Sequence, residues 1–377
     1  ATLRGRFVMR VPPEVGYVPY HRLDGRPHLI VDGPATDGTV LTLSHWPASP
    51  TPKPLRADLS AEIVFRFLAG RRRWWQRPPS AVSNDHLDQD GLVSVFAIQS
   101  PEEALRRKEL LCDLARAGDF AVFRHREAGR ASFALATLAD PERSPLGPAA
   151  FPEGYAERCA GLHEELLGRL LELVDDPGRH RALWAEEDDA FGASEADLQR
   201  GAVTVSELPT VDLAVVEVAE DARPRTATRF VGREDLAVHP AALHRATGCL
   251  RLLLVQGRRY RLTYRYESWV RLVSRPVAPR VDLGPLAARL EAEERGPTRW
   301  SFDGVGALVP SLRTEGDHES SLDPALVRAM VVEHLSTARP AWGPEGPVLE
   351  GDPSTRRGGY AGAVRWARMA ASRVYSK

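Results

Sequence analysis

Leu59, Ile63 and Phe67 recur every four residues with Val64 and Leu68 beside them, a spacing that predicts an amphipathic helix over 57–70, with Asp58 as cap and Gly70 as stop. Upstream, the apolar and β-branched runs Pro27-His28-Leu29-Ile30-Val31-Asp32-Gly33 and Thr39-Val40-Leu41-Thr42-Leu43-Ser44-His45 read as short buried strands ending in Asp32 and His45. Ala81 and Val82 fit the end of another strand after Pro78-Pro79, and Leu92 to Ile98 suits a buried helix start or strand. Ser100-Pro101-Glu102-Glu103 is a capping box with proline at the first helical position, opening a helix that runs to about Ala117 and stops at Gly118. Residues 155–200 are helical and rich in Leu and Glu, and from Val203 strands take over, at 211–218, 249–255 and 260–266. This order predicts an α/β protein: an N-terminal parallel-sheet domain in 1–150, a helical connector in 151–202, and a smaller C-terminal mixed α/β domain in 203–377.

Chemistry concentrates in Ser83-Asn84-Asp85-His86-Leu87-Asp88-Gln89-Asp90-Gly91. His86, Asp88 and Asp90 alternate, so in an extended segment they project to one side, where so many like charges are costly without a cation. Carboxylate oxygens with an imidazole nitrogen suit Mn²⁺, with other divalent metals as alternatives. Gly91 lets the backbone turn tightly. Ligands of parallel sheets collect beyond the carboxyl ends of strands, which makes Asp32 and His45 candidates for a second metal position. A turn role for Asp32 and a hydrogen-bonded histidine beside Trp46 are the alternatives.

An EF-hand loop counted from His86 would have His86 first and Ala97 twelfth, so that motif fails. The pattern His-x-Asp-x-Asp-Gly-x-x-Ser fits at His86, Asp88, Asp90, Gly91 and Ser94, and resembles the first motif of the DHH phosphoesterase superfamily. Ser60-Ala61-Glu62 is similar to a stretch of the helix that follows the family's Asp-His-His strand, although here it precedes the His-x-Asp-x-Asp motif, as in a circular permutation. Ser44-His45-Trp46 stands where Asp-His-His is expected and departs at two of three positions. Asp119 resembles a further metal-binding aspartate of the family more than Asp113 does. Trp269 to Arg275, followed by Val281-Asp282-Leu283, is similar to the family's C-terminal substrate domain, where Arg271 or Arg275 would bind phosphate. The Gly-Gly-His loop is missing, and Trp300 and Phe302 take its place as a surface for the rest of the ligand.

The resemblance implies hydrolysis of a phosphoester or phosphoanhydride, in a small phosphorylated substrate or short nucleotide, by one or two Mn²⁺ ions. His86, Asp88, Asp90 and Asp119 would be ligands, with Asp32 and His45 next. The alternative is a non-catalytic nucleotide- or metal-binding regulatory module on an eroded scaffold.

Composition narrows the partners. A formal charge of −1 over 377 residues argues against long nucleic acid. Arg71-Arg72-Arg73-Trp74-Trp75 joins cations to aromatics as base-stacking sites do, but solvated arginines over buried tryptophan produce the same pattern. No apolar run approaches the roughly 20 residues that span a membrane. Residues 1–20 lack the apolar core of a signal peptide, and Cys112, Cys159 and Cys249 show no zinc or CxxC spacing, so a reduced cytoplasmic setting is expected.

Overall fold

Four short strands, β1 (Gly16–Tyr17), β2 (His28–Val31), β3 (Thr39–Leu43) and β4 (Ala81–Ser83), pair in parallel in the order β1-β4-β2-β3. They belong to a computed structural model that describes residues 15–348 apart from 71–73, 230–231 and 317. β2 is buried at every position, as a parallel strand covered on both faces requires. Its one polar residue, His28, bonds the Arg26 carbonyl and the Thr39 hydroxyl at 2.7 and 2.8 Å. Because the strands are parallel, their carboxyl ends at Asp32, Ser44 and Asn84 all lie along one edge of the sheet.

Seven helices follow in the first half: α1 (Ser60–Ala69), α2 (Gln89–Gln99), α3 (Pro101–Arg106), α4 (Lys108–Phe120), α5 (Arg126–Ala139), α6 (Tyr155–Asp175) and α7 (Arg181–Gln199). α2 is buried from Gln89 to Ile98, enclosed by α1, α4, α6 and the sheet, which explains why its sequence is apolar on all sides. Several sequence expectations change here. α1 begins at Ser60, and the Asp58 carboxylate accepts instead from the Val273 and Ser274 amides at 2.7 and 3.0 Å. The helix expected over 100–117 breaks at Arg107 into α3 and α4, and the Ser100 hydroxyl makes no capping bond. Gly118 lies inside α4, where a methyl group would come within 2.5–2.8 Å of the Gln89 side chain, so it permits close helix packing rather than a stop. α4 ends at Ala121, in the left-handed region at φ 49°. Residues 151–202 are more than a connector: Cys159, Leu162, Leu166, Leu170, Leu173, Trp184 and Phe191 belong to the same core as the parallel sheet.

The second half is built on a six-stranded mixed sheet of order β12-β13-β10-β9-β6-β5. Its strands are β5 (Val203–Leu208), β6 (Leu213–Val218), β9 (Arg251–Gln256), β10 (Arg259–Tyr264), β12 (Arg299–Phe302) and β13 (Ser311–Glu315), and only the β6–β9 pair is parallel. Alternation along β6 sends Leu213 and Val215 into one core and Ala214, Val216 and Val218 into another on the opposite face. α9 (Gly284–Glu293) and α10 (Pro324–Thr337) cover the first of these faces, and α8 (Pro240–Ala246) contributes to the other. A hairpin of β7 (Arg225–Arg229) and β8 (Gly232–Leu236) packs against α5 and α7, and β11 (Arg280–Val281), β14 (Pro340–Gly343) and β15 (Gly346–Pro347) form a small antiparallel sheet. Trp269–Arg275 is irregular chain. Arg71–Arg73 lie outside the described residues.

The halves are sewn together. Tyr266, Trp269, Val270 and Trp342 sit in the N-terminal core, the Arg271 amide donates to the His45 carbonyl at 2.9 Å, and His244 Nδ1 bonds the Phe120 carbonyl at 2.7 Å. Among the described residues no helix is long and apolar enough to cross a membrane.

Asp113, buried in α4, accepts from the Arg124 and His125 amides at 2.8–3.0 Å and so fixes the turn that leads into α5. Asp113→Ala is expected to cost about 1–3 kcal/mol in urea unfolding, the range for leaving such donors without their acceptor. An unchanged midpoint would contradict the role.

Candidate metal centre

The parallel sheet and the ends of two helices deliver six side chains to one buried point. Asp32 follows β2 in the left-handed region at φ 45°, uncommon for a non-glycine residue but tolerated by aspartate. Asn84, just beyond β4, supports this turn by donating to the Val31 and Asp32 carbonyls at 3.0 and 2.9 Å. Its side chain lies where a methyl on Gly91 would stand, 2.7 Å away, so Gly91 is needed for this approach and not for a turn. Gly33 likewise leaves space for the Asp85 carboxylate, 2.8 Å from where its Cβ would be.

His86, Asp88 and Asp90 converge, though not by alternating along a strand. His86 lies in the bend after β4, Asp88 caps α2 by accepting from the Gly91 amide at 2.8 Å, and Asp90 is in the first turn of that helix. Asp90 reaches to the amino end of α1, where its two oxygens accept from the Ser60 and Ala61 amides, each at 2.7 Å. The Ser60 hydroxyl donates to Asp32 Oδ1 at 2.7 Å and accepts from the His45 amide at 3.2 Å. Asp119 arrives from the last turn of α4, inside the helix instead of in the polar turn expected after it.

The imidazoles are oriented by their far nitrogens. His45 Nδ1 lies 2.5 Å from the Asp58 carbonyl, which can only accept, so Nδ1 carries the proton and the Nε2 lone pair points inward. Nε2 stands 3.4 Å from Asp32 Oδ1, 3.4 Å from Asp119 Oδ2 and 3.8 Å from Asp90 Oδ2, and is fully buried with no hydrogen-bond partner among the described residues. His86 Nδ1 meets Asp85 Oδ1 at 3.0 Å, while Nε2 lies 3.0 Å from Asp88 Oδ2 and 3.3 Å from Asp32 Oδ2. Two triads result, Asp32-His86-Asp88 and Asp32-His45-Asp90, each with ligand atoms within 4.8 Å of one another, and Asp32 belongs to both.

This arrangement is electrostatically costly without a cation. Burial, followed by the charges of Asp32 and Asp88, pushes the Asp90 carboxyl well up despite its two backbone donors. Burial and the charges of Asp88, Asp90 and Asp32 do the same to Asp119. Burial works against protonation of His86, but the Asp88 charge and bonds with Asp32, Asp85 and Asp88 prevail and raise it well above its usual value. For Asp88 burial raises and the His86 charge lowers, with a net fall. A hard divalent ion fits the donor set: four aspartates, two imidazoles, and an inward lone pair with nothing to bond. His86 with Asp85 behind it reproduces the carboxylate–histidine pairing that orients metal ligands.

The substrate-side residues expected from the sequence are elsewhere. Arg271 turns its guanidinium to the Glu345 carboxylate at 2.7 Å and the Ser49 carbonyl at 3.2 Å, because an exposed acid is its nearest partner. Arg275 is exposed and bonds the Gly248 carbonyl at 2.7 Å. Trp300 is packed in the core of the second sheet, stacked on Tyr260 with ring centroids 5.6 Å apart. The aromatic roof over the cluster is formed instead by Trp46, Tyr266 and Trp269: Trp46 is tilted against His86 at 5.3 Å, and Tyr266 is edge-on to His45 at 6.0 Å. Asp85, Asn84 and Ser60 join the site as well, without having been singled out by their sequence. Asp85 and Asn84 were adjacent to the motif, but nothing local links Ser60 to Asp90.

The raised groups set a pH dependence. A folded-state pKa above the unfolded value gives stability that is present at low pH and lost as pH rises through the folded pKa, and this holds for His86, Asp90 and Asp119. The metal-free protein should therefore lose melting temperature as pH rises above the usual carboxylate and imidazole ranges, while saturating Mn²⁺, which replaces those protons, should flatten or reverse the trend. Calorimetric melts with and without the ion check this, and parallel pH profiles would count against the centre.

No curated protein and no solved structure matches the chain. Residues 13–346 match a family described as "Family of unknown function (DUF6687)", a description that carries no link to the DHH phosphoesterases. The match spans most of the 377 residues, the two larger sheets and all six clustered side chains, and the chain belongs to this family.

Proposed function

We propose that this protein is a divalent-metal-dependent hydrolase of a phosphoester or phosphoanhydride, acting on a small phosphorylated molecule or short nucleotide with Mn²⁺ as the ion. The observation that carries the reading is the pair of triads sharing Asp32, with the His45 lone pair turned inward. A bound divalent ion supplies Lewis acidity, lowering the pKa of a water and offsetting charge on phosphoryl oxygens. Asp32, His86 and Asp88 would hold one ion; His45, Asp90 and Asp119, with Asp32 shared, would hold a second. Asp85 holds the His86 ring in place, and the Asp58 carbonyl does the same for His45. The His-x-Asp-x-Asp-Gly stretch supports the phosphoesterase class through its resemblance to the DHH motif. Arg271, Arg275 and Trp300 have no part in this reading.

One observation favours a non-catalytic binding module. The cluster is roofed by aromatic rings, and its side chains reach solvent chiefly at His86 and Asp88, which are 10% and 5% exposed, with Asp85 beside them at 14%.

A folded Asp88→Asn/Asp90→Asn double variant should lose Mn²⁺ by elemental analysis, and Asp85→Ala should weaken Mn²⁺ affinity about 10–100-fold. The wild type should hydrolyse at least one member of a phosphomonoester, phosphodiester and pyrophosphate panel, and stop on chelation. Unchanged metal content in the double variant would sink the centre. Full Mn²⁺ loading with no turnover across the panel would favour the binding module.

A further inference from the structure

Trp46 is the residue whose chemistry is left unexplained by ion binding. It follows His45 directly and precedes Pro47, so its backbone is biased to an extended conformation. Its amide donates to the Ser44 hydroxyl at 3.2 Å, its carbonyl accepts from the Ser49 amide at 3.1 Å, and Ala48 closes the turn in the left-handed region at φ 53°. The ring is clamped as well. It lies 5.3 Å from the His86 ring at a 34° tilt and meets Trp269 edge-on at 5.3 Å, with 8% of the residue exposed.

Within this rigid setting the indole Nε1–H is buried and has no hydrogen-bond partner among the described residues. An indole nitrogen is a donor only, and a buried donor is ordinarily satisfied. No neighbouring carboxylate takes it, and those of Asp32, Asp88 and Asp90 already accept from Ser60, Gly91, Ala61 and His86. The indole ring that carries this N–H packs on His86, the more exposed of the two imidazoles. A fixed, desolvated donor beside a cation site is the complement of an oxyanion, which brings acceptor oxygens to both the ion and the N–H.

We propose that Trp46 is an anion-binding residue of the centre, its Nε1–H donating to an oxygen of a phosphate or phosphoryl group held at the Asp32-His86-Asp88 position. This rests on the metal-dependent reading above and extends it to a named contact with the ligand. The ring contributes packing against His86 and Trp269, and the N–H contributes recognition of the tetrahedral anion.

Trp46→Phe keeps an aromatic ring on His86 and removes the donor. Manganese content is measured by elemental analysis, and inorganic phosphate is titrated by calorimetry into wild type and variant, each with and without Mn²⁺. The expected result is unchanged manganese, phosphate binding to wild type only when Mn²⁺ is present, and affinity at least about tenfold weaker in the variant, the size of a lost hydrogen bond to a charged group. Equal phosphate affinity in a metal-loaded Trp46→Phe protein overturns the proposal, because the N–H would then serve only a buried water. A loaded wild type that binds no phosphate, or binds it equally without Mn²⁺, also overturns it while leaving the metal centre standing. A wild type that takes up no Mn²⁺ removes the metal-dependent reading and this inference together. Should Trp46→Phe fold poorly or lose metal, replacing the Trp46 indole with its benzothiophene analogue, which preserves ring size and lacks the N–H, decides by the same titration.

Discussion

The carboxylate of Asp90 holds the N-terminal half in its arrangement. It sits at the start of α2 and accepts both leading amides of α1, so the amino ends of two helices meet on a single side chain. Each of those amides would otherwise need water or a local cap, and Leu59, in the cap position, supplies none. The partial positive charge at the helix ends favours a carboxylate there. With α1 pinned, Ser60 is placed to bridge His45 and Asp32, so the same contact that orders the helices also sets the spacing of two strand ends.

The favourable contacts do not remove the repulsion among four buried aspartates. Asp90 remains hard to ionise even with two backbone donors, and Asp119 has the charges of three other aspartates against it. Such a cluster is stored strain in the metal-free protein, and the left-handed backbone at Asp32 adds to it. The rigid surroundings sustain it: α2 is buried over nearly its whole length, and glycines at 33, 91 and 118 allow Asp85, Asn84 and Gln89 to approach more closely than a methyl group permits. Positions that look like simple turn or stop signals are thus the points where the scaffold closes around the acids.

Much of this was legible in the sequence, for a physical reason. Asp32, His45 and His86 follow strands, and parallel pairing brings strand ends together whatever their separation along the chain, so apolar runs with polar endings were enough to group them. Helix ends were less readable. Asp58 has the local appearance of a cap, yet it bonds amides at 273–274, and the real cap of α1 lies thirty residues downstream. A tertiary contact had replaced the local one, and no local pattern records that. The arginine and tryptophan assignments failed similarly. A guanidinium binds whichever acceptor the fold presents, which for Arg271 was Glu345, and Trp300 was an alternating core residue in a strand.

The aromatic roof has a consequence for the order in which this centre comes into being. Residues 32 to 119, which supply every clustered acid and imidazole, leave the ribosome before Tyr266, Trp269 and Trp342, which pack over and around them. While the nascent chain lacks those rings, the acidic floor faces bulk water and an ion can arrive by diffusion. On the proposed metal-dependent reading, exchange after docking would have to pass the narrow rim at His86 or wait for the halves to separate. Metal identity in such a protein would then be decided during synthesis, by which ion the compartment offers at that moment, and would afterwards be held kinetically.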